Sequence, residues 1–141
     1  MDSFVQVMKA LSDKNRVKII KMLQVKPMCV CEIQALLHIA QPTVSKHLKI
    51  LKASGLVTFR KEGLWVNYRL ADGQKSPYAS SILGNLRHWL ADDPYIKDIM
   101  KRTPSVSRDD IYGKPSGRPL ITAHSRRNRA SGTDQRRRLD S

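Results

Sequence analysis

Acidic residues are scarce in this chain of 141: twelve Asp and Glu stand against twenty-six Lys and Arg, a formal charge of +14. So large an excess points to a polyanionic partner, with nucleic acid ahead of a membrane surface, because such charge neutralises a row of phosphates. Long apolar runs are missing too, and no stretch approaches the length of a membrane span. The first residues lack the basic-then-apolar layout of a signal peptide, so no membrane partner and a cytoplasmic location with reduced thiols are expected. No internal repeat is visible, and no acid–base pair or resolving-cysteine layout supports an enzyme such as a thiol reductase. Cysteine is limited to Cys29 and Cys31. So short a loop strains a disulfide, which makes a ligand shared by the two sulfurs the better functional reading.

What is present divides unevenly. An apolar content of 40% suits one compact domain with a modest core. Residues 1–102 hold 17 of the Lys and Arg and 8 of the acids, leaving 9 and 4 for residues 103–141. After Pro104 there is little apolar beyond Val106, Ile111, Tyr112, Leu120 and Ile121, with Gly, Pro and Ser between Arg126-Arg127, Arg129 and Arg136-Arg137-Arg138. The expected division is therefore a folded unit over 1–102 and a basic, disordered tail over 103–141, which reads as a solubilising, non-specific DNA tether, with an RNA or protein contact as the alternatives.

Within the first part, Phe4, Val5, Met8 and Leu11 recur at helical spacing, and Ser12-Asp13 caps a second helix carrying Val17, Ile19, Ile20, Met22 and Leu23. Pro27 stops it. Ile33, Leu36 and Leu37 mark a short third helix, followed by the turn His38-Ile39-Ala40-Gln41. Pro42 then opens a fourth helix to Ala53 that buries Val44, Leu48 and Leu51. Gly55 ends it as a left-handed cap. Leu56–Arg60 and Leu64–Leu70 alternate as strands joined through Lys61-Glu62-Gly63. A long helical stretch follows from about Ser76 with Ile82, Leu83, Leu86, Trp89 and Leu90 apolar, and Asp92-Asp93-Pro94 starts another helix with Ile96, Ile99 and Met100.

The predicted fold is mainly α with a small β-hairpin, in the order of a winged helix-turn-helix with a C-terminal dimerisation helix. Gln41-Pro42-Thr43-Val44-Ser45-Lys46-His47-Leu48-Lys49-Ile50-Leu51, then Ser54-Gly55-Leu56-Val57 and the wing Arg60–Leu70, resemble the arsenic-repressor family, ArsR/SmtB, over about residues 4–102. The resemblance implies a homodimeric repressor that leaves double-stranded operator DNA when a metal or metalloid binds. A helix in the major groove reads base edges from its N-terminal half, which assigns DNA contact to Gln41, Thr43, Ser45, Lys46 and His47, with Lys49 reaching phosphate. Arg60 and Lys61 on the wing are further phosphate candidates, and Arg69 faces either solvent or DNA. His38 stands where related motifs carry a glycine of positive φ, a region His tolerates better than a β-branched residue.

Cys29-Val30-Cys31-Glu32 resembles the metalloid box of arsenic sensors in that family. Thiophilic As(III) or Sb(III) prefers thiolates, and a helix start with Lys26 nearby favours them. Arsenic sensors of this layout add a third cysteine three residues on, where this chain has Gln34, so water, hydroxide or an outside thiol would take the third place. A cadmium- or zinc-type sensor and a thiol redox or reactive-sulfur sensor are the alternatives on the same fold, alongside an architectural DNA binder with no inducer. The cadmium and lead branch draws cysteines from an N-terminal arm, whereas here Phe4 already lies in the first helix. The terminal helix holds one histidine, His88, where the zinc branch carries Asp/His pairs. On a straight helix Cys29 and Cys31 point about 200° apart, so chelation is expected to unwind or bend the start of the third helix.

Overall fold

The computed structural model describes residues 1–112. The chain divides into a compact unit of Met1–Arg108 and a second beginning at Asp109, of which only the end of a short helix is described. In order, the described elements are α1 (Asp2–Ala10), α2 (Lys14–Val25), β1 (Met28–Cys29), α3 (Val30–Leu37), α4 (Gln41–Ala53), β2 (Val57–Glu62), β3 (Trp65–Leu70), α5 (Pro77–Leu86), α6 (Pro94–Arg102), a 3-10 turn at Thr103–Ser105, and α7 (Arg108–Tyr112).

Local chemistry sets these boundaries. Asp13 caps α2 by accepting the Arg16 N–H at 3.1 Å, and Ser76 caps α5 through the Ala79 N–H at 3.2 Å, with Pro77 in the first turn. Asp93 takes the N–H groups of Tyr95 and Ile96 at the head of α6, ahead of Pro94 as the sequence predicts. His38 closes α3 at φ 55°, the left-handed conformation expected at that turn. Gly55 at φ 80° turns the chain from α4 into the wing, where a Cβ would be strained by the backbone angle alone.

Val7, Ile19, Ile20, Met22, Met28, Ile33, Val44, Leu48, Leu51 and Leu56 are fully buried and bring α1 to α4 and the root of the wing around one core. Four features depart from expectation. First, Met28–Cys29 forms a short strand on the far side of β3, making an antiparallel sheet ordered β1-β3-β2. Second, the hairpin turns at Gly63-Leu64, because Glu62 still pairs with Trp65 and Gly63 supplies φ 62°.

Third, α5 stops at Leu86, short of Trp89 and Leu90, which are exposed. The buried Lys21 ammonium donates to the Leu86 carbonyl at 2.6 Å, a cation on the free acceptors of a helix end. Fourth, the fold continues past residue 102. Thr103 is fully buried and donates to the Ile99 carbonyl at 2.6 Å. Lys26 donates to the Val106 carbonyl at 2.5 Å, and the Arg108 guanidinium lies 4.9 Å from the centre of the Trp65 ring. The Arg-rich run from Arg126 to Arg138 lies outside the described residues.

Candidate nucleic-acid interface and thiol site

Helix α4 separates into two faces. Val44, Leu48 and Leu51 point into the core, while Gln41, Thr43, Ser45, Lys46 and Lys49 are exposed along one continuous outer side. His47 is a correction. It is 8% exposed and faces inward, because it sits three residues after Val44 and four before Leu51 on the same stripe. Its Nδ1 accepts from Arg16 Nη1 at 3.2 Å, since a guanidinium can only donate. Arg16 also donates to the Ala10 carbonyl at 2.6 Å and the Lys9 carbonyl at 3.3 Å, so one side chain ties the end of α1 and the start of α2 to α4. Burial works to raise the Asp13 carboxyl, but the Arg16 N–H and the nearby Arg16 guanidinium hold the group below its ordinary value.

Arg60 and Lys61 are exposed on β2. Lys52 places its ammonium 4.1 Å from the centre of the Phe59 ring, and Phe59 packs at 5.7 Å against Tyr68, which fixes the end of α4 to the wing. Arg69 lies 3.7 Å from Glu62, and Glu62 accepts from Asn67 at 2.9 Å.

The thiol pair lies at the junction of β1 and α3. Cys29 has extended backbone (φ −86°, ψ 165°) and is the N-cap of α3, so the helix begins only at Val30. The straight-helix expectation therefore does not apply: the sulfurs already face each other, 2.7 Å apart. Glu32 completes a capping box in which its carboxylate accepts the Cys29 N–H at 2.9 Å and its own N–H faces the Cys29 sulfur. Cys29 is buried and paired with Asn67 of β3, while Cys31 is half-buried. The hydrogen bond from Cys29 to Cys31, reinforced by burial, pushes the Cys29 thiol far above the usual range. The same bond pulls Cys31 down against burial, so Cys31 is the more readily ionised thiol of the pair.

Among the described residues, no three His, Cys, Asp or Glu side chains gather as a metal site. The donor set is two sulfurs, which fits a thiophilic ion completing its shell with an outside ligand and does not fit a four-ligand zinc tetrahedron. The sequence reading gives no role to Arg16 or Asn67 and names Glu32 only as the end of the cysteine segment. For Glu32 a signal existed, the x-x-Glu spacing of a capping box with Cys in place of Ser or Thr.

The match to known proteins covers these elements. A family profile described as "Bacterial regulatory protein, arsR family" matches residues 13–58, from the α2 cap through both cysteines and α4 into β2. The arsenic resistance transcriptional regulator ArsR2 of Pseudomonas putida is 34% identical over 91 residues, covering 62% of this chain and 79% of that protein. The chain belongs to the ArsR family. The arsenical resistance operon repressor of Escherichia coli is 41% identical over 68 residues, 48% of this chain and 58% of that repressor, so the chain spans little more than half of this relative's length. A solved homodimeric winged helix-turn-helix domain from Mycobacterium bovis, Mb0332, is 28% identical with a TM-score of 0.53, covering 61% of this chain and 76% of that one. The ArsR-family chain described here is a winged helix-turn-helix, and among its described residues no helix is long and apolar enough to cross a membrane.

Proposed function

We propose that this ArsR-family chain is a metalloid-responsive transcriptional repressor that holds operator DNA as a homodimer and releases it when As(III) or Sb(III) binds Cys29 and Cys31. The observation that carries the reading is the contact of the two sulfurs at the head of α3, with Cys29 lying opposite Asn67 of the wing strand in the β1–β3 pairing. Names of relatives support the inducer class: those of Escherichia coli and Pseudomonas putida are described by arsenic resistance. Gln41, Thr43, Ser45 and Lys46 meet base edges, while Lys49, Arg60 and Lys61 grip phosphates. Exposed Phe4 and Tyr78, stacked edge-on at 5.5 Å across α1 and α5, supply apolar surface for the second copy.

Chelation replaces the hydrogen bond between Cys29 and Cys31 with two bonds to one soft ion, and the parts that adjust are the Cys29 cap and its pairing with Asn67. Cys29 is anchored to β3 on one side and, through Glu32, to the first turn of α3 on the other, so this adjustment shifts the wing against α4. A differential of about 1 to 3 kcal/mol between the two shapes is enough for an effector. Native mass spectrometry of the reduced chain with arsenite tests the reading: one arsenic per chain, lost in Cys29→Ser and in Cys31→Ser, is expected. Uptake unchanged in the double mutant would contradict it.

A further inference from the structure

We infer that residues 103–108 form a strap that fastens the wing to the end of α2 in the inducer-free protein, and that this strap sets how much metalloid is needed for release. The inference rests on the metalloid reading only for its consequence; the strap itself rests on the contacts at its two ends. At one end the half-buried Lys26 donates its ammonium to the Val106 carbonyl at 2.5 Å, across eighty positions of the chain. At the other the Arg108 guanidinium lies over the Trp65 ring, 4.9 Å from its centre. Only Ser107 stands between Val106 and Arg108.

Local chemistry builds the strap. Thr103 is fully buried with its hydroxyl on the Ile99 carbonyl, and the Val106 N–H donates to the Thr103 carbonyl at 3.3 Å, which closes the 3-10 turn after α6. Val106 is then extended (φ −73°, ψ 136°) and packs its side chain against the core, leaving its carbonyl for Lys26. A hydrogen bond from a charged donor is among the stronger kinds, and a guanidinium on an aromatic face adds a second fixture.

What the strap fastens is the pairing that carries Cys29. Strand β1 has two residues and meets β3 only where Met28 lies opposite Tyr68 and Cys29 opposite Asn67, a ladder too short to hold its register unaided. Lys26 lies two residues before Met28, and Trp65 lies two residues beyond Asn67 toward the hairpin turn, so the strap grips the pairing at opposite ends. Any movement of β1 against β3 driven by an ion on the sulfurs must loosen one grip or the other. The closed strap therefore belongs to the DNA-holding shape, and it opposes the inducer through contacts that involve neither sulfur. Weakening it lowers the inducer concentration that tips the equilibrium.

The test uses the full chain, reduced, as wild type, Lys26→Met and Arg108→Ala. On an operator duplex selected in vitro and followed by fluorescence anisotropy, arsenite should release Lys26→Met at about tenfold lower concentration than wild type, the scale of a charged hydrogen bond. Arg108→Ala should release at about threefold lower concentration, the scale of an exposed cation–π contact. Lys26→Arg, which keeps a charged donor, should stay close to wild type. The sign separates the strap from simple charge, because losing a cation near the thiols disfavours thiolates and would raise the arsenite that Lys26→Met needs. Hydrogen exchange read by mass spectrometry should be faster over Trp65–Leu70 in both variants before any arsenite is added. An arsenite requirement unchanged or raised in Lys26→Met, or exchange over β3 as slow in both variants as in wild type, would overturn the inference. If arsenite releases no duplex even from wild type, the metalloid reading falls and exchange decides the strap: faster exchange in the variants keeps it, and unchanged exchange removes it.

Discussion

At the scale of single residues, Lys46 and His47 are neighbours with opposite duties. Lys46 is exposed on the outer side of α4, and His47 is buried against Arg16. Lys46→Ala should cost about 1 to 3 kcal/mol on the selected operator if the side chain meets a base, and far less on random DNA. His47→Ala should instead leave the Arg16 guanidinium without its ring acceptor, lowering the unfolding midpoint and weakening all sequences alike. Thermal melts and competition binding on both duplexes separate the two patterns. The inward position of His47 was legible in its spacing from Val44 and Leu51, and a list of polar residues on a reading helix hides it. The 2.7 Å approach of the sulfurs was not legible, because it depends on Cys29 lying one residue outside the helix.

At the scale of elements, caps and short pairings do the positioning. Asp13→Ala removes the N-cap of α2 and should cost about 1 kcal/mol at neutral pH. Because the native carboxyl is held below its ordinary value, that contribution is present above the unfolded pKa of about 3.9 and is lost as pH falls through the native value. Urea melts of the two proteins should therefore diverge at neutral pH and converge toward about pH 2. Glu32→Ala should similarly cost about 1 kcal/mol and loosen the head of α3, whereas Glu32→Gln, which preserves the capping box, should cost less in the same melts. Helix order, both proline-led helix starts and the wing were legible from periodicity and turn residues. Strand β1 was not, since two residues carry no period, and the end of α5 at Leu86 depends on Lys21, sixty-five positions earlier in the chain.

At the scale of the whole molecule, the account joins three parts: an exposed reading face, a thiol pair spliced into the sheet behind it, and apolar surface for a second copy. One short reading helix offers few base contacts, so paired copies should meet an imperfect palindrome. Sedimentation should show a dimer, weakened by Phe4→Ser, and a monomer both free and on DNA would contradict the homodimer. The central claim is that the sulfurs control release and are dispensable for holding DNA. Its most direct measurement is fluorescence anisotropy of the selected operator duplex titrated with arsenite under reducing conditions, for wild type, Cys29→Ser and Cys31→Ser. Each serine keeps a polar group at the helix start, so all three proteins should bind the duplex with similar affinity before arsenite. The account predicts that anisotropy then falls for wild type alone; an equal fall in a protein lacking both sulfurs would contradict it.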